Sequence, residues 1–571
     1  MNHSSAADTA VASASPERIA QTLLWKSLLP KLVPTLLGTA LWLANNLDVI
    51  HSLMAHPPGY LPLGVQRNND IAMYLTWMNA MTKEWFVPNF HAAWSTPHNF
   101  LILPLVPVVA LQRWFSVSSP LAYQMFSLAA YIFTANAVAF ACRTFCESRR
   151  QAVCALLLAL ACVPLGSLPF VSYVSGHHVP PGDVPGRHAF FVVSDGFFHG
   201  LVTVPLLTFG TGLQILSMAL LARYSRSSER RWLAWLALAC LFSAFMHPFE
   251  ILVTIPVVAV VFLRQFGLTA RSLTNLCLVY AAAAVGLAPH ALQSLRIPWV
   301  HEIARINQEI LGFSPATLFV VLGWPALLVV VLLFLGAPDK PKPETTVLTT
   351  WFLATIVMVF VPRVPFAPHL LDGLFVVIGL LLSIQIRDLS VRWPVLRIPL
   401  LRVAGVILVA LSLVPHVTMR LAAWSAAVGR DTFSFPSAAL MSLPEVHATQ
   451  WLRGNASWDD LVLTNPDAAP WLAMAPVHSF AAHWLCSLTI THPNYLTLQE
   501  SFFAGTLSPI EGHQLLETLG VRFVVVPDQG PALQYLDKAV PRIHFDAWSI
   551  YEIPGAHMKP YHDPAIVALG G

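Results

Sequence analysis

Apolar residues run along this chain in long blocks, not in the short periodic stripes of soluble helices and strands. A bilayer crossing needs about 20 mostly apolar residues. By that criterion the blocks predict about eleven spans, near residues 32–52, 120–141, 151–170, 199–222, 231–247, 248–266, 272–292, 315–336, 347–362, 369–386 and 398–418. One further apolar stretch, 99–112, is short and interrupted by Pro104 and Pro107. From about residue 424 the pattern changes, and apolar runs shrink to strand length. "DLVLTN" (460–465), "VRFVVVPD" (521–528) and "WSIYEI" (548–553) predict strands. "SLPEVHATQWL" (442–452) and "SPIEGHQLLETLG" (508–520) predict helices opened by Ser with a Glu soon after, the second closed by Gly520. Between them "FAAHWLCSLTITHPNY" (480–495) follows no clear period.

Positive residues then set the topology. If 99–112 does not cross, the basic clusters Arg143/Arg149/Arg150, Arg223/Arg226/Arg230/Arg231, Arg264/Arg271, Lys340/Lys342 and Arg387/Arg392/Arg397/Arg402 all fall on the side of Arg18, Lys26 and Lys31, which makes that side the cytoplasm. If it does cross, every later cluster inverts, so 99–112 is expected to be a re-entrant or surface helix. The expected fold is mainly α: a polytopic transmembrane helix bundle with a small C-terminal α/β domain. Its parts are a cytoplasmic tail (1–31), a membrane domain (32–420) holding a first outer loop (53–119), and a soluble domain (424–571) on the outer face. Of the 22 His residues, this topology leaves only His3 on the cytoplasmic side.

Composition narrows the class further. The chain of 571 residues is 56% hydrophobic and 11% charged, whereas soluble domains carry about a quarter charged residues. The net charge of +3 comes without any Lys/Arg block, so nucleic acid is not an expected partner and membrane lipid is. Of the seven Cys, only Cys486 lies in the C-terminal region, so neither a disulfide framework nor a zinc spacing is built. The first apolar run is long enough to stay as an anchor, so no cleaved signal is expected. Nucleotide-binding, nucleophile-elbow and zinc-protease signatures are missing.

What remains are polar residues in the outer loops. "NNDIAMYLTWMNA" (68–80) opens a helix, and Asn69 or Asp70 is a preferred start that also suits the positive end of the helix dipole. Asp70 at the membrane's outer face is equally placed to take a proton as a general base, with Tyr74 one turn on along the same face. In "VPRVPFAPHLLDG" (361–373), Arg363 can snorkel to lipid headgroups or, fixed among prolines, clamp a phosphate. "MHPFE" (246–250) places His247 and Glu250 at a hairpin tip, where a turn needs no function but a cavity would gain an acid and an imidazole. The loop "GHHVPPGDVPGRHAFFVVSDGFFHG" (176–200) carries Arg187 and His188, and loops over membrane cavities commonly supply ligand contacts. His98 and His369 complete the set of outer polar residues that could line a cavity.

The order of "NNDIAMYLTWMNA", "TPHNF", "FFHG", "HPFE", "PRVPF", "AHWLCSLT", "SFFAG" and "VRFVVVPD" over residues 35 to 555 resembles the glycosyltransferase C (GT-C) superfamily, and more closely a group of bacterial GT-C-like membrane proteins. The resemblance implies an inverting hexosyl- or pentosyltransferase of the cell envelope, in the cytoplasmic membrane. It would move a sugar from a polyprenyl-phosphate-linked donor to a glycan, lipid or protein acceptor at the outer face. It assigns the catalytic base to Asp70 and the lipid phosphate to Arg363 and Arg187. Tyr74, His98, His188, His247 and His369 are the expected substrate-binding residues. No second acid follows Asp70, and no Glu follows "ST" in "WSTPHNF", so no cofactor is fixed and a divalent metal stays open. The alternative is a transport or non-enzymatic role in lipid-linked glycan handling. Few charges at span centres and no internal repeat favour the transferase.

Overall fold

The computed structural model describes residues 32–44, 46, 68–92, 94–160, 205–302, 315–335, 342–361, 367–392, 405–411, 443–466, 468–480, 494–545 and 547–560. Its helices are α1 (Leu32–Ala44), α2 (Asn68–Met81), α3 (Val106–Phe115), α4 (Ser119–Phe145), α5 (Arg149–Leu160), α6 (Pro205–Ser227), α7 (Arg230–Met246), α8 (Phe249–Phe266), α9 (Ala270–Arg296), α10 (Pro315–Leu335), α11 (Pro343–Val359) and α12 (Leu374–Arg392). Five helical stretches among the described residues are long and apolar enough to cross a membrane: α4, α6, α8, α9 and His369–Arg392. Four shorter apolar helices accompany them among the described residues, one of which is Leu103–Phe115, and Pro315–Leu335 is broken at Gly323. The chain is a multi-pass membrane protein.

Apolar side chains do not sort helices from lipid, so small residues and interhelical hydrogen bonds decide who packs where. Thr134 of α4 donates to the carbonyl of Thr208 at 2.6 Å, and Asn136 donates to Thr35 Oγ1 at 3.2 Å. α6 and the stretch ending α12 form the centre, with 89% and 78% of their apolar windows buried, while α9 lies at the edge with 17%.

The basic connections meet at one end of the bundle. Arg226 pairs with Glu344, Lys342 Nζ lies 2.6 Å from Glu147, and Arg387 lies 2.8 Å from the same Glu147. The segment 99–112 forms a short 3-10 turn (Leu103–Leu105) and α3, and it stays at the opposite end. Its start is held by Leu101 N donating to Gln293 of α9 at 2.9 Å. Its finish is held by Gln112 donating to Ser119 at 2.5 Å and Arg113 donating to the Met81 carbonyl at 2.5 Å. Ten helical residues rise only about 15 Å, half a bilayer core, and Trp114 and Phe115 stay exposed at its C-terminus.

The C-terminal region adds α13 (Leu443–Asn455), β1 (Leu461–Leu463), α14 (Ala469–Leu472), β2 (His478–Ser479), α15 (Asn494–Ala504), α16 (Pro509–Leu519), β3 (Val521–Pro527), β4 (Val540–Phe545) and β5 (Trp548–Glu552). The sheet order is β2-β1-β3-β5-β4, parallel among the first three strands and antiparallel beyond. β3 is buried on both faces, as its unbroken apolar run requires. Leu461, Val524 and Val526 face Phe502, Leu515 and Leu516, while Val462, Phe523 and Val525 face Ala448 and Leu452 of α13. Ser508 and Glu511 form the capping box of α16, and Gly520 ends it in the left-handed region at φ 68°. β2, β4 and α15 were not expected: β2 has two residues, β4 carries a proline and is mostly exposed, and α15 begins at the end of the stretch 480–495 that has no clear period. The irregular stretch from residue 481 to 493 lies outside the described residues.

The segment after α2 is built into this region. Ser479 N donates to the Phe90 carbonyl at 2.9 Å, Ser95 N donates to the Lys559 carbonyl at 3.0 Å, and Trp94 is buried against Tyr495. Asn79 of α2 donates to the Met474 carbonyl at 3.0 Å. α2 is therefore clamped between the bundle and the sheet region.

Candidate functional site

α7 ends at Met246 because His247 precedes Pro248, and a residue before proline is pushed out of the helical region; His247 is extended at φ −153°. α8 restarts at Phe249 and places Glu250 in its first turn, where the free N–H groups and the helix dipole favour a carboxylate. His247 Nδ1 sits 2.7 Å from each Glu250 carboxylate oxygen, and Glu250 is wholly buried. The approach depends on Gly210 of α6, since a Cβ there would overlap the Glu250 carboxylate and His247 Cβ.

A second pair faces the first. His369 lies in the 3-10 turn Ala367–Leu371, with its Nδ1 3.4 Å from Asp372. Its ring stands edge-on to His247 at 5.8 Å and tilted against Phe249 at 5.6 Å. His290 of α9 donates to the Phe245 carbonyl at 2.8 Å, closing the outer side of the hairpin. One turn deeper on α6, Gln214 abuts Gly373 beside Trp351. Both Gln214 amide atoms, Trp351 Nε1 and Thr355 Oγ1 are buried with no hydrogen-bond partner among the described residues. Buried polar groups left this way are uncommon and mark places where water or ligand binds. The arrangement offers imidazoles that can donate or accept, carboxylates that orient them, and an amide floor.

α2 approaches the same end. Tyr74 stacks on Tyr123 at 6.3 Å, meets Trp77 edge-on at 6.4 Å, and packs on the apolar cluster that contains Leu206, Leu207, Leu213 and Met246. Asp70 is one turn earlier. Among the described residues the helix already includes Asn68, so Asp70 is helical and not the residue ahead of the helix, which corrects its expected role as cap. The Asp70 side chain lies outside the description.

Of the expected residues, the structure brings His247 and His369 together, and Tyr74 packs on the cluster that includes Met246, the residue before His247. His98 instead faces the C-terminal sheet region, 3.5 Å from Asp459 and tilted against Trp458 at 5.4 Å. Arg187, His188 and Arg363 lie outside the described residues; Arg363 comes shortly before the turn that carries His369. Asp372 and Gln214 were not singled out from the sequence. Asp372 had a signal, because His369-x-x-Asp372 repeats the spacing of His247-x-x-Glu250; Gln214 had none. Among the described residues no group of three or more His, Cys, Asp or Glu could hold a metal ion.

At the junction between the Phe90–Ser95 segment and the sheet, His478 of β2 is fully buried. Its Nδ1 donates to the Ala92 carbonyl at 3.2 Å, and its Nε2 has no partner among the described residues. Burial pushes its pKa down to about 4, against smaller upward pulls from the Ala92 carbonyl and Asp459.

No family profile and no curated protein sequence matches this chain. Solved structures do. A structure of the arabinofuranosyltransferase AftD from Mycobacteria aligns with a TM-score of 0.50 and 14% identity, over 91% of this chain and 41% of AftD. The chain therefore spans well under half the length of that relative. ArnT from Cupriavidus metallidurans, bound to undecaprenyl phosphate, aligns with a TM-score of 0.47 at 13% identity over 93% of this chain and 99% of ArnT. The oligosaccharyltransferase of Archaeoglobus fulgidus aligns with a TM-score of 0.47 at 13% identity over 87% and 69%. The chain has a GT-C-like fold.

Proposed function

We propose that the protein is a membrane glycosyltransferase that moves a sugar from a polyprenyl-phosphate-linked donor to a glycan, lipid or protein acceptor, at the outer face of the cytoplasmic membrane. The observation that carries this proposal is the buried His247–Glu250 pair facing His369 and Asp372 within a GT-C-like fold, with Tyr74 of α2 packed on the apolar cluster that includes Met246. Asp70, one turn from Tyr74, takes the proton of the acceptor hydroxyl. The acceptor oxygen then bonds to the anomeric carbon while the bond to phosphate oxygen breaks, and polyprenyl phosphate leaves with its electron pair. Arg363 and Arg187 hold that phosphate, since guanidinium binds its oxygens in a bidentate way. His247 and His369, with His188 further out, hold sugar hydroxyls. The leaving group is already activated, so orientation, water exclusion and one proton acceptor suffice.

The test is transfer of labelled sugar from polyprenyl-phosphate donors by purified protein. Asp70→Asn should lower the rate by roughly 10²–10⁴-fold, the usual worth of a general base. Arg363→Ala should raise the donor requirement. Full activity in Asp70→Asn ends the base assignment; no transfer from any such donor, with measurable lipid flipping, replaces the transferase by a transporter.

A further inference from the structure

A cleft of about 550 Å³ opens between the C-terminal sheet region and the Ser95 segment, away from the His–carboxylate cluster. Its volume falls in the range of small-molecule sites, ~300–1,000 Å³. Trp451 and Phe523 line it as an aromatic pair, edge to face at 5.6 Å, with Trp451 half-buried. Asp459 and Asp460 form one polar wall. Arg522 and Arg542 also line the cleft, and both engage the buried Glu552.

Charge decides what this cleft takes. The lining carries two guanidiniums and three carboxylates, so both signs share one cleft. An anion meets Asp459 and Asp460; a polycation meets the arginine pair. A polyol suits both, because a hydroxyl can donate to a carboxylate and accept from a guanidinium N–H. The aromatic pair supplies what a sugar ring also needs, a flat apolar surface for its C–H face. The Asp460 carboxylate is already oriented by accepting from Ser457 N at 2.7 Å.

We infer that this cleft is a binding site for a neutral glycan segment. The site is separate from the transfer reaction and does not depend on it. Ser95, on its rim, belongs to the segment that leads back to α2 through the clamp described above. A glycan seated there lies against the chain that carries Asp70.

The experiment is calorimetric titration of the full-length protein in detergent with maltohexaose, chitohexaose and a linear arabinan hexasaccharide, beside hexalysine and inositol hexaphosphate. At least one neutral oligosaccharide should bind, and Trp451→Ala should weaken it roughly tenfold or more, as loss of a buried aromatic anchor does. Asp459→Asn, at an exposed position that folding tolerates, should weaken the same ligand. Trp451→Phe should bind with intermediate strength, which separates a lost stacking face from a damaged fold. Binding of none of the neutral sugars, preference for either charged probe, or binding unchanged by Trp451→Ala overturns the inference. Sugar transfer that persists in Trp451→Ala leaves the transfer proposal intact, so the two fail separately.

Discussion

The two ends of the bundle use charged and ionisable residues in opposite ways. At one end Lys342 and Glu147 meet 2.6 Å apart with 64% and 58% of their side chains exposed. At the other, His247 meets Glu250 at 2.7 Å with 10% and 0% exposed. An exposed pair exchanges water for a partner at little gain. A buried pair has surrendered its water, so each member depends on the other. The first end is a topological marker whose residues can be exchanged for other cations. The second holds titratable groups where lipid-embedded proteins rarely keep them without a functional reason.

The largest expected effect breaks the buried pair. Glu250→Ala should cost about 3–5 kcal/mol, because it strands His247 beside a void in a dry site. Glu250→Gln keeps an acceptor for the His247 N–H and should cost clearly less. Thermal unfolding of the purified protein in detergent measures both. If Glu250→Ala melts like the parent, the two ends do not differ in the way described.

His478 extends the comparison to a buried imidazole without a carboxylate partner. Its pKa of about 4 lies below the ordinary 6.5, so the unfolded chain takes up a proton first as pH falls. Stability is complete above about pH 6.5 and is lost as pH falls toward 4, by roughly 3 kcal/mol at full extent. His478→Leu should flatten the acid limb of the melting curve between those values. A variant that keeps the same acid limb assigns the loss to other groups.

How much of this the sequence disclosed follows from the range of each signal. The basic clusters are local and additive, and the structure keeps 99–112 at the end of the bundle away from them, where Leu101 and Gln112 make their contacts. The strands at 461, 521 and 548 were legible because β-branched runs between turn residues need no partner to be recognised. β4 was not, since its alternation includes Pro541 and its residues are mostly exposed. Within the site, His247 and His369 were legible as polar breaks in apolar runs. Their meeting was not, because 122 residues separate them and only helix packing brings the rings to 5.8 Å. Gln214 lay hidden inside an apolar span, where a single amide leaves no periodic trace. The segment 87–100 looked like loop and proved to be partly core, with Trp94 buried against the C-terminal sheet region.

A smaller effect probes what lets the buried pair form. Gly210→Val places a branched side chain where the Glu250 carboxylate and His247 Cβ already are. Overpacking of this kind costs about 1–3 kcal/mol, and it should perturb His247 without removing any charge. Sugar transfer falling together with stability in this variant, while Gly210→Ala falls between parent and Val, ties the pair's geometry to the site. Unchanged melting in Gly210→Val contradicts the close packing of α6 on the hairpin.

The smallest effect belongs to the exposed end. Lys342→Ala removes the Glu147 partner, yet Glu147 keeps Arg387 at 2.8 Å and open water beside it. The expected cost is about 0–1 kcal/mol and should shrink further in high salt. The carboxyl of Glu147 is held below its ordinary range, first by the Lys342 hydrogen bond and then by Arg387, so the variant should raise it toward the usual value. Its stabilising contribution, present above that usual value, is lost as pH falls through the depressed one. A melting shift as large as that of Glu250→Ala would mean that the cationic cluster is a structural keystone, and the contrast between the two ends would have to be drawn from burial of helices instead of burial of charge.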